Sequence, residues 1–161
     1  RKGQPTPGNI AGGLSSIEEK SLGAIVKSGT RPIQGVLEYT DRITDQKGLW
    51  IKDTPGREME ILTGMAISGA QCMMFSTGRG APQGFPVMPV LKICGNPETY
   101  HRMEGDMDFN AGRIVTGKAS IAQCGEEALK RLVAVLSGHE TKNESLHYFS
   151  AIDIYCLGPV I

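Results

Sequence analysis

The sequence lacks an excess of either charge, a long apolar run and closely spaced cysteines, and each absence removes a class of function. Its 17 basic and 17 acidic side chains cancel. Nucleic acids and anionic membrane surfaces attract a clustered positive surplus, so neither is expected as a partner. The apolar stretches fall far short of the ~20 residues that cross a bilayer, and no membrane span is expected. No charged-then-apolar leader opens the chain, which fits a cytoplasmic location. Cys72, Cys94, Cys124 and Cys156 stand 22, 30 and 32 residues apart, a spacing that suits neither a zinc knuckle nor a redox dithiol. Three of them lie in apolar runs and read as buried, reduced thiols. Histidines are few, and His101, His139 and His147 sit in polar segments where a surface position is expected. No Ser/His/Asp or Cys/His constellation can be assembled from them.

What is present is ordinary for a globular chain: 40% hydrophobic and 21% charged residues over 161 positions, enough for one domain with a sizeable core. The first residue is Arg1 rather than Met, and the Pro- and Gly-rich run to Asn9 reads as loop, so a piece of a longer protein is expected. Ser15-Ser16-Ile17-Glu18-Glu19 offers a capping-box start for a helix that Gly29 ends. Strands are expected over 33–39 and 48–53, and a helix from Arg57 to Ser68. The apolar run Gln71–Phe75 reads as a buried parallel strand, followed by a glycine-rich loop, Ser76 to Gly84. Met88–Cys94 is a further strand, Asn96-Pro97-Glu98 starts a short helix, and Met107–Phe109 is a brief strand. Ser120–Ser137 has the strongest helical periodicity, with Ile121, Cys124, Ala128, Leu129, Leu132, Val135 and Leu136 as its apolar stripe. Ala151–Leu157 closes as a strand. The alternation implies an α/β layered fold with a mostly parallel sheet and flanking helices.

Ligands of such sheets bind beyond the carboxyl ends of the strands. Three segments fit that position. In Phe75-Ser-Thr-Gly-Arg-Gly80, Gly78 and Gly80 let backbone amides approach an oxyanion, Thr77 adds a hydroxyl, and Arg79 presents a planar fork to a carboxylate or phosphate. A tight turn with a solvated arginine is the plainer alternative. In Asp106-Met-Asp108-Phe-Asn110-Ala-Gly112, Asp108 and Asn110 lie two apart and would share a side of an extended chain, suiting a divalent cation or a substrate hydroxyl. An Asx turn ending a strand explains the same residues. In the entry loop, Asn9, Gly12 and Gly13 precede a helix whose Glu18 and Glu19 could ligate a metal or move a proton, or could simply cap the helix.

At these segments the chain resembles the C-terminal region of the D-galactarate/altronate dehydratase family. The resemblance is carried in order by Pro5–Asn9, Gly12-Gly13-Leu14 with Glu19–Gly23, Phe75–Gly80 with Pro82 and Gly84, Pro89–Lys92, and Asp108–Gly112. It implies a hydro-lyase that removes water from a sugar acid to give a 2-keto-3-deoxy product, on a Rossmann-like variant domain. It also implies a divalent metal, Fe2+ foremost, with Mn2+ or Mg2+ as alternatives. On that basis Arg79, with Thr77, Gly78 and Gly80, would hold the substrate carboxylate, and Asn9, Gly12, Gly13 and Asn110 would line the substrate. Asp108 and Glu19 would be metal ligands, with Glu19 or Lys20 as acid/base. These segments supply fewer oxygen ligands than such a cation takes, so part of the site is expected upstream. The remaining N-terminal domains of the same protein are the implied partners, a homo-oligomer is a further one, and the chain alone is expected to be inactive. A sulfolactate sulfo-lyase large subunit resembles the same region and is the alternative lyase, although Thr77-Gly-Arg-Gly80 keeps the dehydratase form. A sugar-acid-binding module without catalysis is the alternative from another class.

Overall fold

The structure, a computed structural model, describes residues 5–43, 45–149 and 151–155. The chain forms two compact units, one taking in the residues to Gly35 with Lys47–Ile51, the other Val36–Gln46 and the chain from Lys52 on.

In the first unit the opening run is not all loop. Pro7–Ala11 forms a one-turn helix, α1, with Thr6 as N-cap accepting the Asn9 amide proton and Pro7 at its start. That start needs no amide from proline, which is why the turn forms there. Helix α2, Ile17–Lys27, begins where the serines place it: the Ser16 hydroxyl accepts the Glu19 amide proton. It buries none of its residues. Strands β1, Ile33–Leu37, and β2, Leu49–Lys52, pair as a two-stranded sheet.

The second unit holds the parallel sheet, in the order β3-β4-β5: Met73–Thr77, Val90–Cys94 and Phe109–Asn110. Both pairings are parallel, so the fold is α/β as its alternating pattern implied. Helix α3, Glu58–Ile67, precedes β3 and packs Met59 and Leu62 with Phe85, Met88 and Val90, and with Met73 and Phe75 beside them. Helix α4, Pro97–Arg102, starts on Asn96, whose side chain accepts the Glu98 and Thr99 amide protons. A 3-10 turn, Ala111–Arg113, follows β5. Helix α5, Ile121–Leu136, has a full capping box between Ser120 and Gln123, and α6, Lys142–Ser145, follows it.

Three expectations need correction. Strand β3 runs two residues later than its apolar run suggested, because the ladder with β4 continues through Ser76↔Ile93 and Thr77↔Cys94; the glycine loop therefore opens at Gly78. The apolar stripe of α5 is only partly covered: Cys124 and Val135 are buried, whereas Ile121, Leu129 and Leu136 are more than half exposed. Residues Ala151–Tyr155 form no strand, and the rest of that expected strand, with Cys156, lies outside the described residues. Cys94 and Cys124 are buried free thiols and Cys72 is half-buried. All three histidines are exposed. Among the described residues no helix is long and apolar enough to cross a membrane.

Candidate functional site

The register of the parallel sheet decides which of the expected residues meet. Thr77 is level with Cys94, and Cys94 with Asn110, so three strands end abreast. The segments that follow them, Gly78–Gly80, Gly95-Asn96 and Ala111-Gly112, form one rim at the carboxyl edge, the place where such sheets bind ligands. The Gly95 amide donates to the Thr77 carbonyl at 2.9 Å, which ties the first two segments.

Two of the rim glycines are fixed by close approach. The Thr77 hydroxyl accepts the Gly80 amide proton at 3.1 Å, turning the chain back on itself. Gly80 then has φ +89°, and a Cβ there would lie 2.1 Å from the Met103 sulfur. At Gly112 a Cβ would meet the Pro97 nitrogen at 2.6 Å, so the third segment packs directly on the start of α4. Gly78 is exposed with open space around it. Its neighbour Arg79 is exposed and makes no hydrogen bond or ion pair among the described residues, leaving its guanidinium available to an anion.

Asp108 and Asn110 part company. Asp108 is 7% exposed, and its two oxygens accept the backbone amide protons of Lys92 at 2.7 Å and Lys142 at 2.8 Å. Burial pushes this carboxyl above its ordinary range while the two amides pull it down. It is a cross-brace between β4 and the start of α6. The Asn110 Oδ1, by contrast, is buried without a partner, an acceptor for which native interiors normally find a donor. Beside it opens a groove of about 590 Å³ whose lining includes Tyr100, Asn110, Arg113, Glu127, Lys130 and Arg131. Arg113 there is tied to Glu127, and Lys130 to Glu126 at 2.8 Å.

The first unit holds the other expected residues. Asn9 donates its side-chain amide to Thr6 at 2.9 Å and so braces the α1 cap. Gly12 and Gly13 are exposed, the latter at φ +98°. Glu19 is exposed, and its carboxylate accepts from the Ser15 hydroxyl at 2.6 Å and the Ser15 amide at 2.8 Å. These bonds hold its pKa below the ordinary carboxylate value. That is capping geometry, one residue further back than the expected box. Lys20 is exposed on the same helix.

The donors expected for a divalent metal do not fit one. Both Asp108 oxygens are used by backbone amides, and Glu19 is bonded to Ser15. Among the described residues no group of three His, Cys, Asp or Glu side chains could hold a metal ion.

One feature of the second unit was not assigned a role from sequence. Lys92 is wholly buried on β4, ion-paired with Glu58 at the start of α3, with its ammonium 4.3 Å from the centre of the Phe75 ring. Burial drives its pKa down, and the contact with Glu58 opposes the shift. The signal was legible as one lysine in the otherwise apolar strand Val90–Cys94.

Comparison with known proteins places this geometry in a lineage. The family described as D-galactarate/altronate dehydratase, C-terminal, matches residues 1–158. The chain is 38% identical over 144 residues to the (2R)-sulfolactate sulfo-lyase subunit beta of Chromohalobacter salexigens, covering 89% of this chain and 37% of that one. It is 37% identical over 140 residues to altronate dehydratase of Escherichia coli, covering 87% and 28%. With galactarate dehydratase (L-threo-forming) of E. coli it shares 38% over 138 residues, covering 86% and 26%. The chain thus spans between about a quarter and somewhat over a third of these relatives' lengths. With the match running almost end to end, the chain belongs to the D-galactarate/altronate dehydratase family, as its C-terminal region.

Proposed function

We propose that the chain supplies one wall of the site of a hydro-lyase that takes water from a sugar acid of the altronate or galactarate kind and leaves a 2-keto-3-deoxy acid. The observation that carries this reading is the alignment of Thr77, Cys94 and Asn110 at the ends of three parallel strands, with an unpaired Arg79 in the loop beyond the first. Arg79 holds the substrate carboxylate with two parallel N–H donors, helped by the amides of Gly78 and Gly80. The unpartnered Asn110 Oδ1 accepts a substrate hydroxyl. Removal of water next to a carboxylate needs a base for the α-proton and stabilisation of the enolate charge. A divalent cation, ferrous iron by the family resemblance, would supply Lewis acidity there; the donors described here do not form a set that holds one.

A longer polypeptide is the proposed partner of the first unit. On α2, Leu22, Ile25 and Val26 are 63%, 67% and 80% exposed, an apolar face of the kind that marks an interface. The relatives carry more than half of their length outside the matched region.

A second reading, elimination of sulfite from sulfolactate, is favoured by the 38% identity to the sulfo-lyase subunit. Assay of the full-length protein with altronate, galactarate and sulfolactate, under reducing conditions with ferrous iron, separates the two. Release of a 2-keto-3-deoxy acid supports dehydration, sulfite release supports the second reading, and consumption of none rejects both. In the active enzyme Arg79→Ala raises KM by ten- to a hundredfold, about the 1.4–2.8 kcal/mol of a lost charge-assisted pair. An unchanged KM and kcat removes Arg79 from the carboxylate clamp.

A further inference from the structure

We infer that Glu58, held in place by the buried Lys92, is the carboxylate that takes and returns the substrate proton at this strand-end rim. The inference rests on the lyase reading above and adds a carboxylate that the sequence did not single out.

The placement follows from how α3 lies on the sheet. Met59 and Leu62 of α3 pack with Val90 of β4 and beside Met73 and Phe75 of β3, and a short turn joins the end of α3 at Ile67 to β3 at Met73. The helix therefore runs back along the strand it precedes. Ten helical residues span about 15 Å, and five strand residues about 17 Å, so the first turn of α3 is level with the strand ends. Glu58 opens that turn. Along β3 and β4, Phe75 is level with Lys92, and Thr77 with Cys94, so the ion pair sits one side-chain step inside the rim on the same face.

The pair is asymmetric in a way that suits proton transfer. The Lys92 side chain is 0% exposed and the Glu58 side chain 23%. One Glu58 oxygen, Oε1, is bonded to the ammonium; the other makes no hydrogen bond among the described residues. The remaining charges around it are accounted for. Asp108 is saturated by two backbone amides, and Glu60, on the same helix, faces Arg57 at 3.5 Å. A buried ion pair is seldom a net gain over apolar residues of similar volume, and the strand around Lys92 is otherwise Val, Leu, Ile and Cys. A lysine placed there at such cost, beside the strand ends, is a mark of function. Lys92 is the positioning residue and Glu58 the catalytic one.

In the proposed step the open Glu58 oxygen accepts the proton from the carbon beside the substrate carboxylate. The C–H electron pair becomes the carbon–carbon double bond, and the C–O bond on the neighbouring carbon breaks. The departing hydroxide takes the same proton from Glu58 and leaves as water, and the enol tautomerises to the 2-keto acid. Glu58 ends as it began, and Lys92 keeps its proton throughout.

The test uses the full-length active enzyme with the wild type beside each variant. Glu58→Gln, which can still accept from Lys92, is expected to lower kcat by about 10²–10⁴-fold, to leave KM within about threefold, and to stop exchange of the substrate α-deuterium with solvent. Lys92→Met is expected to lower kcat while leaving KM within about threefold, because Glu58 loses the ammonium that orients its carboxylate. Glu58→Asp restores part of the exchange rate if the carboxylate is the chemical requirement. A Glu58→Gln enzyme that keeps kcat and exchange at wild-type levels overturns the inference while leaving the lyase reading intact. A wild type that consumes none of the three acids overturns both.

Discussion

Gly80 and Gly78 stand two positions apart in one loop and answer to different constraints. Gly80 combines φ +89° with a Cβ position already filled by the Met103 sulfur; Gly78 has neither restriction. Gly80→Ala is therefore expected to cost about 1–3 kcal/mol, from left-handed backbone strain and overpacking. Gly78→Ala is expected to change stability by less than about 0.5 kcal/mol. Urea denaturation of both variants checks this, and equal midpoints would contradict it. Lys92 gives a pH signature at the same scale. Burial lowers its folded pKa below the ordinary value of about 10.4, so between the two values the unfolded chain binds the proton and the folded one does not. Stability is thus lost as pH falls from about 10.4 to the folded value, and rises with pH inside that window. The urea midpoint of the wild type should climb there relative to Lys92→Met. The raised pKa values of half-buried Tyr39 and Tyr100 act on both proteins alike and cancel in the comparison. Parallel curves would mean that Lys92 is not desolvated as described.

At the scale of elements, apolar periodicity told where helices run but not which of them are covered. Helix α3 has apolar residues around much of its circumference and buries Met59, Glu60, Leu62, Thr63 and Gly64. Helix α5 has the cleaner stripe, yet Leu129 on that stripe is 58% exposed while Leu62 on α3 is 0% exposed. Leu62→Ala is expected to cost about 2–5 kcal/mol as a core cavity. Leu129→Ala is expected to cost under about 0.5 kcal/mol, as a surface change. A large loss at Leu129 in this chain by thermal or urea melting would show that the face is covered. Strand β3 teaches a related point. Its polar end, Ser76-Thr77, breaks the apolar run and by pattern alone reads as loop, but its ladder partners Ile93 and Cys94 on β4 extend it. A strand's last residues are set by the neighbour that bonds them, and hydroxyl side chains at the end of a strand are where a site begins.

For the whole molecule, the family match fixes the lineage, and the chain spans between about a quarter and somewhat over a third of the relatives' lengths. Helix α2 contributes no buried residue to the structure. Replacing Leu22 and Val26 with glutamine should accordingly leave the urea midpoint of the 161-residue chain unchanged to within about 0.5 kcal/mol. If the face packs against further polypeptide as proposed, the same double change in a full-length protein reduces activity or yield. A full-length protein indifferent to the change would remove α2 from that interface.

The sequence by itself determined the class of fold, the helix starts at Ser16, Asn96 and Ser120, and the segments that carry the family motifs. Capping, glycine stops and alternating periods are local signals, written within a few residues of where they act. The exclusion of a nucleic-acid or membrane-surface role was an expectation from charge of the same directness. Only the tertiary structure decided how the motif residues divide their labour. It engaged Asp108 with the amides of Lys92 and Lys142, far from it in sequence, and left the Asn110 Oδ1, two positions on, without a partner. It also brought Glu58 to Lys92 across 34 positions. Which oxygen is already bonded, and which charge is buried, depends on neighbours supplied by other elements. Strand register and helix packing set those neighbours, and no local pattern encodes them.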